Sequence, residues 1–352
     1  MFCESATVLP YILLMLYLRT DTRKDSPLRY RAPFWMPGGH LQTIWPALFS
    51  RAYHGGKPSY RRERLLAPDG DFVDADWLEQ SERETDMGRP LLILFHGLEG
   101  SSQSHYALAF AEFAVQQNWD YVVPHFRGCS GELNHAPRAY HSGDYEEVYW
   151  LIRQLVAKRM GPVYAVGVSL GGNALLRWAQ EMGGDGSKYV AAVAAVSAPV
   201  DLAASGAHID TGLNRQIYVR NFLSTMKPRA AQKHMQYPGL FDLQAVRASR
   251  TLYEFDNAFT APLHGFKNTD DYWRRASSIH QMKRIRVPTL VVNARNDPFV
   301  PAHSLPRPGH VGAAVHLFQP ASGGHVGFAR GWPPGHVRGL PELVGTWFQR
   351  GA

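Results

Sequence analysis

Two cysteines in 352 residues are too few for a disulfide framework. Cys3 lies in the N-terminal leader and Cys129 in a glycine-rich stretch, so both are expected to be reduced thiols. No histidine–acid pairing stands out around Cys129 that would make it a nucleophile. A continuous apolar stretch of membrane-spanning length is also missing. The run over residues 8–18 is eleven residues long and broken by Pro10, whereas a spanning helix needs about 20. It is a poor secretory signal too, because only Glu4 carries charge before it, while Arg19, Arg23 and Lys24 follow. Residues 1–29 are therefore read as an extension outside the folded unit, and the protein as cytoplasmic, with peripheral membrane contact the lesser expectation. Among 16 histidines there is no His-Glu-x-x-His and no ligand spacing, so neither a metal nor another cofactor is expected. The net charge of +7, from 37 basic and 30 acidic residues, is scattered and accompanied by no nucleic-acid motif. Internal repeats and low-complexity stretches are absent.

What the chain does contain is Gly167-Val168-Ser169-Leu170-Gly171. Residues 163–167 form a short apolar run after Gly161-Pro162, and residues 171–180 carry good helix formers behind two glycines. Gly-x-Ser-x-Gly between a strand and a helix is the pattern of a nucleophile elbow. The turn is so tight that its neighbours must lack side chains, and the serine is held strained with its hydroxyl exposed. The following helix points its positive end toward the place where an oxyanion would form. Ser169 is the expected nucleophile.

A serine hydroxyl needs a base to take its proton, and the base needs a group to orient it. Residues 288–295 read as a buried strand broken by Asn296-Asp297-Pro298, which puts Asp297 at the carboxyl end of a strand. Residues 314–318 read as a last strand, followed by the glycine-rich loop that holds His325. Asp297 lies 128 residues after Ser169, and His325 lies 28 residues after Asp297, in the order serine, acid, histidine. An aspartate after a strand is commonly only a turn former, so Asp201, Asp270 and Asp271 remain competitors for the acid. Asp201 is the strongest of these, although Pro199-Val200-Asp201-Leu202 reads as a helix start. The run 91–95 followed by His96-Gly97-Leu98-Glu99-Gly100 supplies a second strand-end loop. Its Leu98 amide and that of Leu170 are the expected oxyanion donors, with His96 packing beneath the loop.

Around these loops the chain alternates strand and helix. Strands are expected at 91–96, 119–124, 162–167, 189–197, 288–295 and 314–319, preceded by a hairpin of 61–66 and 71–78 about Pro68-Asp69-Gly70. Asp144 and Glu147 suit a helix start, after which Tyr145, Val148, Ile152, Leu155 and Val156 recur at helical spacing. Such alternation predicts an α/β fold, with a mostly parallel sheet and helices on both faces. Residues 202–282 break the rhythm with helical runs at 214–223 and 243–255 and an aromatic-rich loop at 260–266. They are read as a helical cap inserted between core segments 30–201 and 283–352.

Several stretches are longer than generic motifs. They include residues 33–43 (Pro-Phe-Trp-Met-Pro-Gly-Gly-His-Leu-Gln-Thr), the His96 loop, residues 125–131 and 140–144, Gly167–Gly172, residues 296–301 and residues 323–328. On these the chain resembles the YheT-type α/β-hydrolases, a group that includes ABHD phospholipases and lipases, over roughly residues 30 to 348. The resemblance implies the α/β-hydrolase fold, Ser169, Asp297 and His325 as a catalytic triad, and activity on carboxylic esters or acylglycerol-type lipids. The expected function is thus a serine esterase or lipase working through an acyl-enzyme. The alternative is an acyltransferase that uses the same residues with an acceptor other than water.

Overall fold

The computed structural model describes residues 28–80, 88–157 and 159–351 of the chain. The apolar run at 8–18 and Cys3 lie outside the described residues. Eight strands form one sheet: β1 (Tyr60–Leu66), β2 (Phe72–Leu78), β3 (Leu91–Phe95), β4 (Asp120–Pro124), β5 (Val163–Val168), β6 (Ala192–Val196), β7 (Thr289–Val292) and β8 (Val315–Phe318). Their spatial order is β1-β2-β4-β3-β5-β6-β7-β8. The β1–β2 hairpin is antiparallel, as is the β2–β4 pair, and every later pair is parallel. Gly70 closes the hairpin turn at φ 79°, a conformation that glycine adopts without a steric penalty.

Strands β3, β5, β6 and β7 are buried along their whole length, which is why they are apolar apart from Thr289 at the start of β7. Successive side chains still point to opposite faces. Leu91, Ile93 and Phe95 pack into one layer with α3 (Tyr145–Val156) and α4 (Leu170–Met182), through Val148, Leu151, Ile152, Leu175 and Trp178. Leu92 and Leu94 face the other layer, where α2 (His105–Gln117) and the last helix, α10 (Gly339–Gly351), bring in Phe110, Phe113, Val344 and Phe348. Asp144 caps α3 by accepting from the Glu147 N–H. The α/β-hydrolase fold read from the sequence is the one observed.

Two strand readings were too long. The stretch 189–197 begins as a strand only at Ala192, because Gly183–Lys188 coils into a 3-10 turn whose Gly186 carbonyl accepts from Tyr189 and Val190. The stretch 288–295 ends as a regular strand at Val292, although the Asn293 and Arg295 amides still donate to Phe318 O and Pro320 O before the Asp297 N–H folds back onto Ala294 O. Apolar composition carries through such positions, whereas local backbone hydrogen bonds decide where pairing stops.

Between β6 and β7 the chain is helical. It forms α5 (Leu202–Ile209), then α6, a continuous helix of Gly212–Asn214, a wide π turn Arg215–Val219 and Arg220–Gln236. α7 (Leu243–Ala248) follows, then α8, made of Leu252–Phe255, a second π turn Asp256–Thr260 and Ala261–Leu263, and finally α9 (Thr269–Ala276). This segment has a core of its own, with Val219, Leu223, Val246, Phe255 and Phe259 at its centre. A single helix over 243–255 does not form. Thr251 starts a new one by accepting from the Glu254 N–H, and the Asp210 carboxylate takes the Leu252 and Tyr253 amides at 2.7 and 3.0 Å. No helix among the described residues is long and apolar enough to cross a membrane.

Candidate active site

Ser169 stands between the last residue of β5 and the first of α4, at φ 53° and ψ −119°. A non-glycine residue rarely holds this conformation, and here the surroundings enforce it. The Ser169 amide is tied to Val196 O of β6 at 2.8 Å. A Cβ on Gly167 would lie 2.4 Å from Gly171 O, and one on Gly171 would lie 2.4 Å from His96 O and 2.5 Å from Phe95 O. The two flanking glycines are therefore steric requirements of the turn.

The imidazole of His325 reaches this serine. Its Nε2 lies 3.0 Å from Ser169 Oγ, and its Nδ1 lies 2.8 Å from Asp297 Oδ2. With the carboxylate accepting from Nδ1–H, the Nε2 lone pair is directed at the serine hydroxyl. The other carboxylate oxygen of Asp297 accepts from the Phe299 and Val300 amides, at 2.7 and 3.3 Å. The Asp297 side chain is fully buried and that of His325 is 9% exposed, so solvent competes little for their mutual hydrogen bond. Phe299 stacks on the imidazole with centroids 3.9 Å apart, which restricts rotation of the ring.

The competing aspartates are engaged elsewhere. Asp201 caps α5 through the Ala204 N–H, Asp270 accepts from the Tyr253 hydroxyl, and Asp271 pairs with Arg274 and Arg275. Cys129 is a free, buried thiol whose pKa is pushed up to about 12 by burial, which disfavours the thiolate a nucleophile would need.

Leu98 and Leu170 line the same cavity as Ser169 and His325, and among the described residues neither amide has a hydrogen-bond partner. For Leu170 this follows from its place at the start of α4, where backbone N–H groups lack an intrahelical acceptor. The Leu98 loop is held from both sides: Gly97 N–H donates to Tyr106 OH at 2.9 Å, and Glu99 N–H to Tyr140 OH at 3.0 Å. Glu99 also pairs with Arg229 of α6 at 3.0 Å, which connects the loop to the inserted helices. His96 is fully buried beneath the loop. Its Nδ1 contacts Gly97 O and its Nε2 accepts from the Phe126 amide, while burial lowers its pKa to about 3. It is a neutral brace.

Sequence reasoning missed how the segment 33–43 serves this site. Gln42, on α1 (Gly39–Leu48), is 4% exposed, and its Oε1 accepts from Asn296 Nδ2 at 2.9 Å and from Gly323 N at 2.8 Å. Asn296 in turn accepts from the Gly324 amide, and Thr43 Oγ1 accepts from the His325 amide at 2.8 Å. One side chain thus bridges the loop of Asp297 and the loop of His325. Close approach is enforced by glycine again, since a Cβ on Gly39 would fall 1.9 Å from Asn296 O. The available signal was two polar residues, Gln42 and Thr43, behind a Gly-Gly pair in an aromatic stretch.

The cavity above Ser169 is about 180 Å³. Leu202, Ile209, Phe222, Met226, Phe255 and Phe259 from the inserted helices supply much of its wall, which is predominantly apolar. Such a chamber suits a hydrocarbon chain next to a reacting carbonyl.

Residues 90–331 match the α/β hydrolase fold family. The chain is 41% identical over 296 residues to YheT of Escherichia coli (strain K12), covering 83% of this chain and 84% of that protein. It is 30% identical to phospholipase ABHD3 of Mus musculus, over 80% of this chain and 70% of the relative. Similarity to the monoacylglycerol lipase of Saccharomyces cerevisiae is 29% identity, over 69% of this chain and 56% of that one. Among solved structures, α/β hydrolase domain-containing protein 10 from mouse superposes with a TM-score of 0.51 at 14% identity, covering 83% of this chain and all of that one. With its sheet order, its glycine-walled serine turn and these similarities, the chain belongs to the α/β-hydrolase family, in the esterase- and lipase-type group that contains YheT.

Proposed function

We propose that the protein is a serine esterase that cleaves carboxylic esters through an acyl-enzyme, with Ser169 as nucleophile, His325 as base and Asp297 as the group that orients it. The reading rests on one observation: the hydrogen-bonded series Ser169–His325–Asp297 opens into an apolar cavity. Ser169 Oγ attacks the ester carbonyl while its proton passes to His325 Nε2. The tetrahedral oxygen is received by the Leu98 and Leu170 amides, whose fixed dipoles need no reorganisation. His325 then protonates the leaving alcohol, and water, activated by the same imidazole, releases the acyl group. The names of the ABHD3 and yeast relatives favour lipid esters as the substrate class.

A fluorophosphonate probe, which labels an activated serine, tests the assignment. The native protein should be labelled and Ser169→Ala should not. Equal labelling of the two would move the nucleophile elsewhere.

A lipid surface is a natural source of such substrates, and one patch of the protein suits contact with it. Phe34 and Trp332, 79% and 76% exposed, meet edge to face at 5.5 Å. Trp35 and Trp45 anchor this ridge by donating to Gly331 O and Pro334 O, and the exposed Leu48 and Phe49 extend it. Clustered exposed aromatics of this kind favour the boundary between water and lipid, and Arg31, Arg51 and Arg330 adjoin them in sequence. Native protein should float with liposomes containing phosphatidylglycerol, and the double variant Phe34→Ser, Trp332→Ser should remain in the aqueous phase. Equal flotation of both would dismiss the patch.

A further inference from the structure

The wall that the inserted helices present to the cavity carries Arg229 and Lys233 of α6, paired with Glu99 and with the Asn134 and Ala136 carbonyls, and one further charged place. There the second π turn, Asp256–Thr260, brings Asp256 to the lining together with Thr260, Ser205 and Trp273. Asp256 Oδ1 accepts from the Thr260 hydroxyl at 2.6 Å, and Oδ2 accepts from Trp273 Nε1 at 2.8 Å. Both donors are neutral. Among the described residues no lysine, arginine or histidine forms an ion pair with this carboxylate, and the charged group that acts on it is another acid, Asp210. Burial pushes its pKa up to about 6, and in its ionised form it has no counterion among the described residues.

An uncompensated carboxylate at an apolar surface is costly, and two neutral donors satisfy only part of its accepting capacity. Asp256 is only partly covered by its neighbours, so it keeps open surface. Ser205 of α5 is 6% exposed, and its hydroxyl has no hydrogen-bond partner among the described residues. Trp273 connects the two elements: its Nε1 donates to Asp256, and its indole lies so close to α5 that a Cβ on Gly206, next to Ser205, would fall 2.2 Å from the ring. A buried hydroxyl with no protein partner and a carboxylate with no counterion along one cavity can each take a partner from a bound molecule.

We propose that Asp256, with Ser205 beside it, forms a subsite that takes a hydrogen-bond donor carried by the substrate, a hydroxyl or a protonated amine, at a distance from the ester. The subsite rests on the ester-hydrolase reading of Ser169. Its consequence is selectivity: esters that present such a donor under the inserted helices are preferred over esters ending in a methyl group, because the latter leave the carboxylate unpartnered.

The test compares p-nitrophenyl esters of six, eight and ten carbons, each ending in methyl, hydroxyl or dimethylamino, the last protonated at pH 7. A second arm places the same end groups on the alcohol side of butyrate esters and follows acid release. In the native protein, at one chain length or on one side of the ester, the polar-tipped substrate should have the higher kcat/KM. Asp256→Leu should shrink that polar-to-methyl ratio by about tenfold or more, the scale of a hydrogen bond to a charged group. Asp256→Asn, which keeps the shape, should lose the amine preference and retain much of the hydroxyl preference. An effect confined to the acyl arm identifies an acyl-chain donor, and one confined to the butyrate arm identifies the alcohol moiety. Fluorophosphonate labelling of Ser169 at the native rate shows that each variant is folded. Identical ratios in native protein and both variants, with labelling intact, would overturn the subsite alone. Failure of the native protein to be labelled would instead remove the hydrolase reading beneath it.

Discussion

Asp297→Asn should lower kcat by about 10⁴-fold, and His325→Ala by roughly 10⁶-fold, with both proteins folded. The asymmetry has a physical origin. Without His325 nothing takes the proton from Ser169, so the nucleophile stays a neutral alcohol. Asparagine at 297 keeps the shape but offers an N–H to Nδ1, which favours the tautomer whose Nε2 carries the proton toward the serine. KM should change little in either case, because neither side chain is needed to bury the acyl chain. Steady-state kinetics on a short p-nitrophenyl ester, alongside circular dichroism, provides the measurement. Asp201→Asn should stay close to native in kcat, since Asp201 caps α5 and makes no contact with His325. A failure of the Asp201 variant with an active Asp297 variant would reverse the assignment of the acid.

Gln42→Leu should lower kcat by about 10²-fold while leaving KM within a few-fold of native. Gln42 touches neither Ser169 nor the imidazole. It holds the Asn296 side chain and the Gly323 amide, the neighbours of Asp297 and His325 along the chain. Leucine fills the same space but leaves those two donors unsatisfied, and a small drift of either loop lengthens the 2.8 and 3.0 Å contacts on which the proposed proton transfer depends. A merely structural role would lower the melting temperature without a selective loss of kcat. Gln42→Glu, which keeps the accepting oxygen, should recover part of the rate. Retention of full kcat in Gln42→Leu would remove Gln42 from the positioning of the site.

The parts of the molecule that could be read in advance share a local cause. The nucleophile turn is encoded by contiguous residues, because a side chain at 167 or 171 would collide with backbone only a few ångströms away. The strands announce themselves because a strand covered on both faces must be apolar throughout, as β3 and β5 are. What could not be read has a non-local cause. Ser249 ends a helix that composition alone would continue, because Asp210, more than thirty residues earlier, claims the amides of Leu252 and Tyr253. The two π turns, which no pattern in the sequence marked, lie within the inserted segment, and one of them sets Asp256 into the cavity wall.

The order serine, aspartate, histidine, each at a strand end, was written in the chain itself. A parallel α/β sheet puts the carboxyl ends of its strands on one edge, so residues of suitable chemistry at those ends are destined for the same rim. The sequence therefore determined the fold class and nominated Ser169, Asp297 and His325 without any coordinates. It left Asp201 open, because an aspartate after a strand looks alike whether it orients an imidazole or caps a helix. Only the tertiary structure distinguishes their partners: the Asp201 carboxylate accepts from the Ala204 amide, and that of Asp297 pairs with His325. It also gave residues 33–43 their purpose, joining Gln42 to loops more than 250 positions away through hydrogen bonds that no local pattern encodes.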